Sequence, residues 1–93
     1  MPSTETVALD GDLDFENAFA VEMRLEQAIA RADRIIVDLS GLNFLDSSGI
    51  GVLLEASKTA DREGKRLEIR PGKPHVQRVF EVAGLLETLP FAA

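Results

Sequence analysis

The stretch Arg34-Ile35-Ile36-Val37-Asp38-Leu39-Ser40-Gly41-Leu42-Asn43-Phe44-Leu45-Asp46-Ser47-Ser48-Gly49-Ile50-Gly51-Val52-Leu53 decides how this chain is read. Its first six residues, Arg34 to Leu39, are β-branched and almost continuously apolar. That is the pattern of a central strand in a sheet covered by helices. Ser40 to Leu45 then carries the chain across to Asp46. From Ser48 to about Arg62 the spacing predicts a helix, with Ile50, Leu53, Leu54 and Ala60 on its buried face. Gly64 is a natural residue to stop it.

Upstream, Thr6-Val7-Ala8-Leu9-Asp10 reads as a short strand turning at Gly11. Asp10-Gly11-Asp12-Leu13-Asp14 is expected to be an acidic loop, because Gly and Asp suit turn geometry. A helix is predicted from Phe15 to Ala32, with Asp14 as its N-cap. Phe19, Val21, Met23, Leu25, Ile29 and Ala30 approximate its apolar stripe. Downstream, Arg66-Leu67-Glu68-Ile69-Arg70 alternates as a half-exposed strand does. Pro71-Gly72-Lys73-Pro74 is a loop, and Pro74 opens a helix from His75 to about Ala83, with Val76, Val79 and Phe80 inward and Gly84 ending it. Leu85 to Phe91 is an apolar tail expected to pack onto the sheet. Strands and helices alternate throughout, which implies an α/β fold with parallel neighbours and right-handed crossovers.

At 93 residues the chain has room for one domain, residues 1–93. Apolar content of 45% and charged content of 28% are ordinary for a soluble globular protein. The formal charge is −6 and the isoelectric point is near 4.6. Such a chain repels nucleic acid and anionic membranes, and Lys65, Arg66, Arg70 and Lys73 are too interrupted to form a binding patch. There is no cysteine, so thiolate chemistry, disulfides and cysteine metal sites are excluded. Met1-Pro2-Ser3-Thr4-Glu5-Thr6 lacks the basic start and apolar core of a signal peptide, and no apolar run approaches the roughly 20 residues of a membrane span. The expected location is the cytoplasm.

In open α/β sheets, function concentrates beyond the carboxyl ends of the strands. Here two loops leave strands toward helices, one carrying Asp12 and Asp14 and the other Asp46, Ser47, Ser48 and Gly49. They lie side by side if the first two strands are neighbours. A helix N-terminus at Ser47 and Ser48 tolerates a phosphate. Gly49 and Gly51 in the first turn suggest close approach of another backbone, since glycine costs a helix roughly 0.5–1 kcal/mol relative to alanine. Asp-Ser-Ser-Gly is a good helix-cap string on its own, and unphosphorylated caps are far commoner than phosphosites, so this string alone favours a plain cap. Asp12 and Asp14 supply too few oxygen ligands for a hard cation, so no metal is expected. His75, the single histidine, is expected on the surface and forms no inferable triad. Gly49-Ile50-Gly51 lacks the spacing and lysine of a nucleotide-binding loop, which disfavours a nucleotide-binding regulator or enzyme.

The chain resembles the STAS domain family, and within it the bacterial anti-sigma factor antagonists. The resemblance rests on Gly11-Asp12-Leu13-Asp14, on Ile36 through Leu53, and on Pro74 to Leu85 with Val79-Phe80 and Ala83-Gly84-Leu85. It implies a mixed sheet of about four strands with helices packed mainly on one side. It implies that Ser47, directly after the aspartate, is phosphorylated by an anti-sigma factor that is a serine kinase of the Bergerat ATP-binding fold. The unphosphorylated antagonist would bind that factor and free a sigma factor. Phosphorylation would end the binding, a serine phosphatase would restore it, and the domain itself would catalyse nothing and need no cofactor. Asp12, Asp14, Asp46, Ser48, Gly49 and Gly51 are the expected partner-binding residues. The same resemblance admits a second role, a STAS scaffold subunit of a stress-signalling or lipid-transport complex with no phosphorylation cycle. Family members usually carry a strand before the one that ends in Gly-Asp-Leu-Asp, whereas here only Met1 to Thr6 precede it. An exposed edge strand, and a monomer or weak homodimer, are therefore expected.

Overall fold

The computed structural model describes residues 2–92; Met1 and Ala93, the ends of the expected domain, lie outside the described residues. The elements follow in the order β1 (Thr4–Leu13), α1 (Ala18–Arg31), β2 (Arg34–Leu45), α2 (Ser47–Arg62), β3 (Arg66–Arg70) and α3 (Pro74–Val82). Among the described residues the sheet has three strands in the order β1-β2-β3. Both pairings are parallel. The expected mixed sheet of about four strands is thus a parallel sheet of three. The tail contributes one parallel bridge, Ile69 with Phe91, on the outer edge of β3. Ile69 N–H donates to Pro90 O at 2.9 Å and Ala92 N–H to Ile69 O at 2.8 Å. The Phe91 ring then meets Phe80 of α3 edge-on, with centroids 5.0 Å apart.

Two strands run longer than their sequence pattern suggests. Asp10 to Leu13 is strand rather than loop, and so is Ser40 to Leu45. The register explains why the period-2 signal fails there. Ala8 pairs with Asp38 but Asp10 pairs with Gly41, and Gly11 pairs with Leu42 but Asp12 with Phe44. Each step leaves one extra residue in β2, a pair of β-bulges that shift the alternation. Leu39, Leu42 and Leu45 therefore all stay buried at three-residue spacing. Gly11 lies opposite this irregular stretch with φ +69°, a conformation that favours glycine.

The core is one cluster. Val7, Leu9 and Leu13 of β1, Ile35, Val37 and Leu39 of β2, and Ile69 of β3 meet Leu25 and Ile29 of α1, Leu53 and Ala60 of α2, and Val76 and Phe80 of α3. Among the described residues no helix covers the other sheet face. It carries Thr6, Ala8 and Ser40, which are exposed, with Arg34 and Glu68 in a 3.4 Å ion pair. Ile36 also lies on this face, between Thr6 and Glu68. The apolar run at residues 35–37 resembles a strand covered on both sides, yet one side is solvated, an arrangement parallel sheets usually avoid.

The helices also depart in detail. α1 begins at Ala18, three residues after the predicted start, because Asp14 caps a preceding turn instead of the helix. Its buried residues are Val21, Leu25, Ala28 and Ile29, whereas Phe19, Met23 and Ala30 point outward. α2 begins at Ser47 and buries Gly49, Val52 and Ala56 as well as the expected Leu53 and Ala60; Ile50 and Leu54 are half-buried. α3 begins at Pro74 and buries Val76 and Phe80, with Val79 half-buried. Gly64 and Gly84 adopt φ +70° and +73° just after α2 and α3, as helix-stopping glycines do. β1 is an edge strand, but its Ala8 carbonyl accepts a 3.1 Å hydrogen bond from Arg24 of α1, which covers part of that edge. No described helix is long and apolar enough to cross a membrane.

Candidate functional site

β1 and β2 end side by side, with Leu13 in register with Leu45. Their ends are held together by Asp46 N–H, which donates to Leu13 O at 3.3 Å. The two loops expected to be neighbours are therefore neighbours. Asp12 stands one residue before this junction and Ser47 two residues after it.

Asp46 is the N-cap of α2. Its backbone is extended, and its Oδ1 accepts from Ser48 N–H at 2.8 Å and Gly49 N–H at 3.3 Å. That satisfies two of the donors a helix start leaves open. The first turn of α2 contains no acidic residue, so its positive end is met by Asp46 alone within the helix. Ser47 is the first helical residue and its side chain is exposed, while Ser48 is half-buried. The two serines, equivalent by composition, differ in what can reach them.

Gly49 is buried and tightly packed. A Cβ there would stand 2.7 Å from Leu13 Cγ and 2.9 Å from Leu13 O, closer than side chains tolerate. The close approach inferred for both glycines is thus real for Gly49. Gly51 is a correction, since a Cβ there would meet open space.

The acidic loop is ordered by a residue that sequence reasoning passed over. Asn17 Oδ1 accepts from Asp14 N–H at 2.9 Å, and its Nδ2 donates to Asp12 O. Asp14 Oδ1 in turn accepts from Glu16 N–H at 3.0 Å and from Asn17 N–H at 3.2 Å. This reciprocal clamp fixes residues 12–17. Its one sequence signal was the three-residue spacing of Asp14 and Asn17, a pair of residue types that bond local backbone readily. Among the described residues no group of three or more His, Cys, Asp or Glu is gathered to hold a metal. His75 is exposed, with Nε2 2.6 Å from Asn43 O.

The family model described as "Mlab, STAS domain" matches residues 2–90. The chain belongs to the STAS domain family. It is 34% identical over 86 residues to the anti-sigma F factor antagonist of Paenibacillus polymyxa, covering 90% of this chain and 74% of that protein. Its fold is similar to that of the anti-sigma factor antagonist SpoIIAA in its unphosphorylated form, with TM-score 0.79 and 26% identity over 100% of this chain and 83% of that one. The phosphorylated form of the Bacillus cell fate determinant SpoIIAA is also similar, with TM-score 0.73 and 25% identity over 100% and 86%. In this chain β2 passes into α2 through Leu45-Asp46-Ser47.

Proposed function

We propose that this STAS domain is an anti-sigma factor antagonist, a binding protein and not an enzyme, switched by phosphorylation of Ser47. The observation that carries the reading is the exposed Ser47 hydroxyl on the first residue of an Asp46-capped helix. It is supported by similarity to anti-sigma factor antagonists, one of which has been seen with and without phosphate.

The physical logic follows from the site. The unphosphorylated chain binds an anti-sigma factor that is also a serine kinase. That partner must bring a nucleotide's terminal phosphate to Ser47 Oγ, so the bound face lies against an anionic site. After transfer Ser47 carries about −1.5 to −2 charges. The helix N-terminus attracts an anion by about 2 kcal/mol at most. The new dianion shares the β1/β2 junction with Asp46 and the Asp12–Asp14 segment, and like charges there oppose it, as do the remaining nucleotide phosphates. Release follows from that local charge without unfolding of the domain. A serine phosphatase resets the switch, and Asp12, Asp14, Asp46, Ser48 and Gly49 shape the docking face around it.

The test is incubation with anti-sigma factor kinases and ATP, with the modified residue mapped by mass spectrometry. Phosphate on Ser47, lost in Ser47→Ala and retained in Ser48→Ala, is the expected result. No incorporation, together with partner binding indifferent to Ser47→Asp, replaces this reading with a STAS scaffold subunit that has no phosphorylation cycle.

A further inference from the structure

α1 carries a second apolar stripe that the core does not use. Phe15, in the turn before the helix, is 83% exposed, and Phe19, one turn on, is 72% exposed. Met23 continues the four-residue spacing and is also exposed. Large apolar groups gathered on a surface mark an interaction site more often than chance exposure does. Phe15 and Phe19 form one wall of an open groove between the starts of α1 and α2. Ser48 and Gly51 line the groove from α2, so it continues directly from the Ser47 junction. Two carboxylates, Glu22 and Glu55, stand in it, and no lysine or arginine lines it.

Gly51 is the second observation. A glycine inside a helix costs roughly 0.5–1 kcal/mol, and such a cost is usually tied to a close approach. Among the described residues nothing lies within 4 Å of a Cβ placed on Gly51. The helix therefore keeps an open floor in the groove for which the fold has no need.

We infer that the groove between α1 and α2, walled by Phe15 and Phe19 and floored by Gly51, docks an amphipathic helix of the partner, apolar on the seated face and flanked by lysine or arginine that meets Glu22 and Glu55. Helix-in-groove recognition seats the apolar face of an amphipathic helix in such a groove, and complementary charge at its edges fixes partner and register. A second copy is disfavoured as the occupant. A twofold contact sets each patch near its own image, so Glu22 and Glu55 would face like charge on a chain of net −6. An enclosed small-molecule site is disfavoured by the groove's openness and its few polar groups. The inference rests on the proposed function for the partner's identity and adds the surface that gives the partner its grip. The groove descends α2 away from Ser47, so affinity is set along the groove while the charge at Ser47 decides whether docking is allowed.

The kinase found to phosphorylate Ser47 is titrated by calorimetry against the unphosphorylated protein and three variants. Phe15→Ala/Phe19→Ala is expected to raise Kd by at least about 30-fold, as loss of a buried aromatic anchor does. Its thermal midpoint should stay near wild type, because both rings are exposed. Gly51→Leu is expected to weaken binding at least tenfold without loss of fold, since its side chain enters open space in this chain and the partner's space in the complex. Glu22→Lys/Glu55→Lys is expected to raise Kd by at least about tenfold at low salt and to reverse its salt dependence. Binding by all three variants within twofold of wild type overturns the groove and leaves the Ser47 switch standing. Absence of any kinase that binds the wild type removes the proposed function, and the groove assignment falls with it. Wild-type dimers that Phe15→Ala/Phe19→Ala converts to monomers overturn the assignment in favour of a second copy.

Discussion

Gly49 lies against Leu13 so closely that an added Cβ would stand 2.9 Å from the Leu13 carbonyl oxygen. This contact joins the last residue of β1 to the first turn of α2 and so sets where Ser47 sits. Gly49→Ala is expected to destabilise the fold by about 1–3 kcal/mol, the usual cost of overpacking. Gly51→Ala is expected to stabilise it by roughly 0.5–1 kcal/mol, because its new methyl group meets open space and removes a helix glycine. Urea unfolding of the two variants checks the opposite signs; equal effects would show that the glycines are equivalent after all.

Asp46 holds two backbone N–H groups of α2. Asp46→Ala is expected to lose about 0.5–2 kcal/mol of stability, with Asp46→Asn retaining most of it because the capping oxygen remains. Chemical denaturation separates the two. If Asp46→Asn is as damaging as Asp46→Ala, charge and not the cap carries the contribution.

Asn17 clamps Asp12 and Asp14 from the start of α1. Asn17→Ala is expected to cost about 1–2 kcal/mol, the net worth of two intramolecular hydrogen bonds. Amide exchange at Asp14 should accelerate, and Ser47 phosphorylation should slow as the acidic segment loses its fixed position. Unchanged exchange at Asp14 would show that the clamp is not what orders the loop.

On the open sheet face, Asp38 is held below the ordinary carboxylate value of 3.8, first by the hydrogen bond from Ser40 N–H and then by the Ser40 hydroxyl, with Arg70 adding a smaller attraction against a small desolvation penalty. The N–H to Oδ1 distance is 2.9 Å. A folded-state pKa lower than the unfolded one means that the unfolded chain binds the proton more readily. The stabilisation is therefore present above the unfolded value and is lost as pH falls through the folded one. Asp38→Asn should flatten the part of the stability curve below about pH 4, where carboxylates of ordinary pKa take up their protons. Thermal melts from pH 2 to 6 measure this, and a slope identical to wild type would show that Asp38 is not the residue titrating.

Residue order and local chemistry alone established much of this protein. The alternation of β-branched runs with helical stretches determined an α/β fold with parallel strands. Asp46 before two serines determined a capped helix start, and Gly64 and Gly84 marked where two helices stop, because caps and positive-φ turns depend on a few adjacent residues. Resemblance along most of the chain pointed to the STAS family and to Ser47. Tertiary structure alone decided which faces are covered. Two bulges in β2 reset the alternation, so Ser40 to Leu45 reads as a crossing segment although it is strand. Phe19 and Met23 fit the helical period of α1 as well as Val21 and Leu25 do, and only the position of the sheet and α2 turns them outward. The same long-range packing separates Ser47 from Ser48 and Gly49 from Gly51. A repeat of 3.6 residues specifies that a helix has a face, and what lies opposite that face is set by residues distant in the chain.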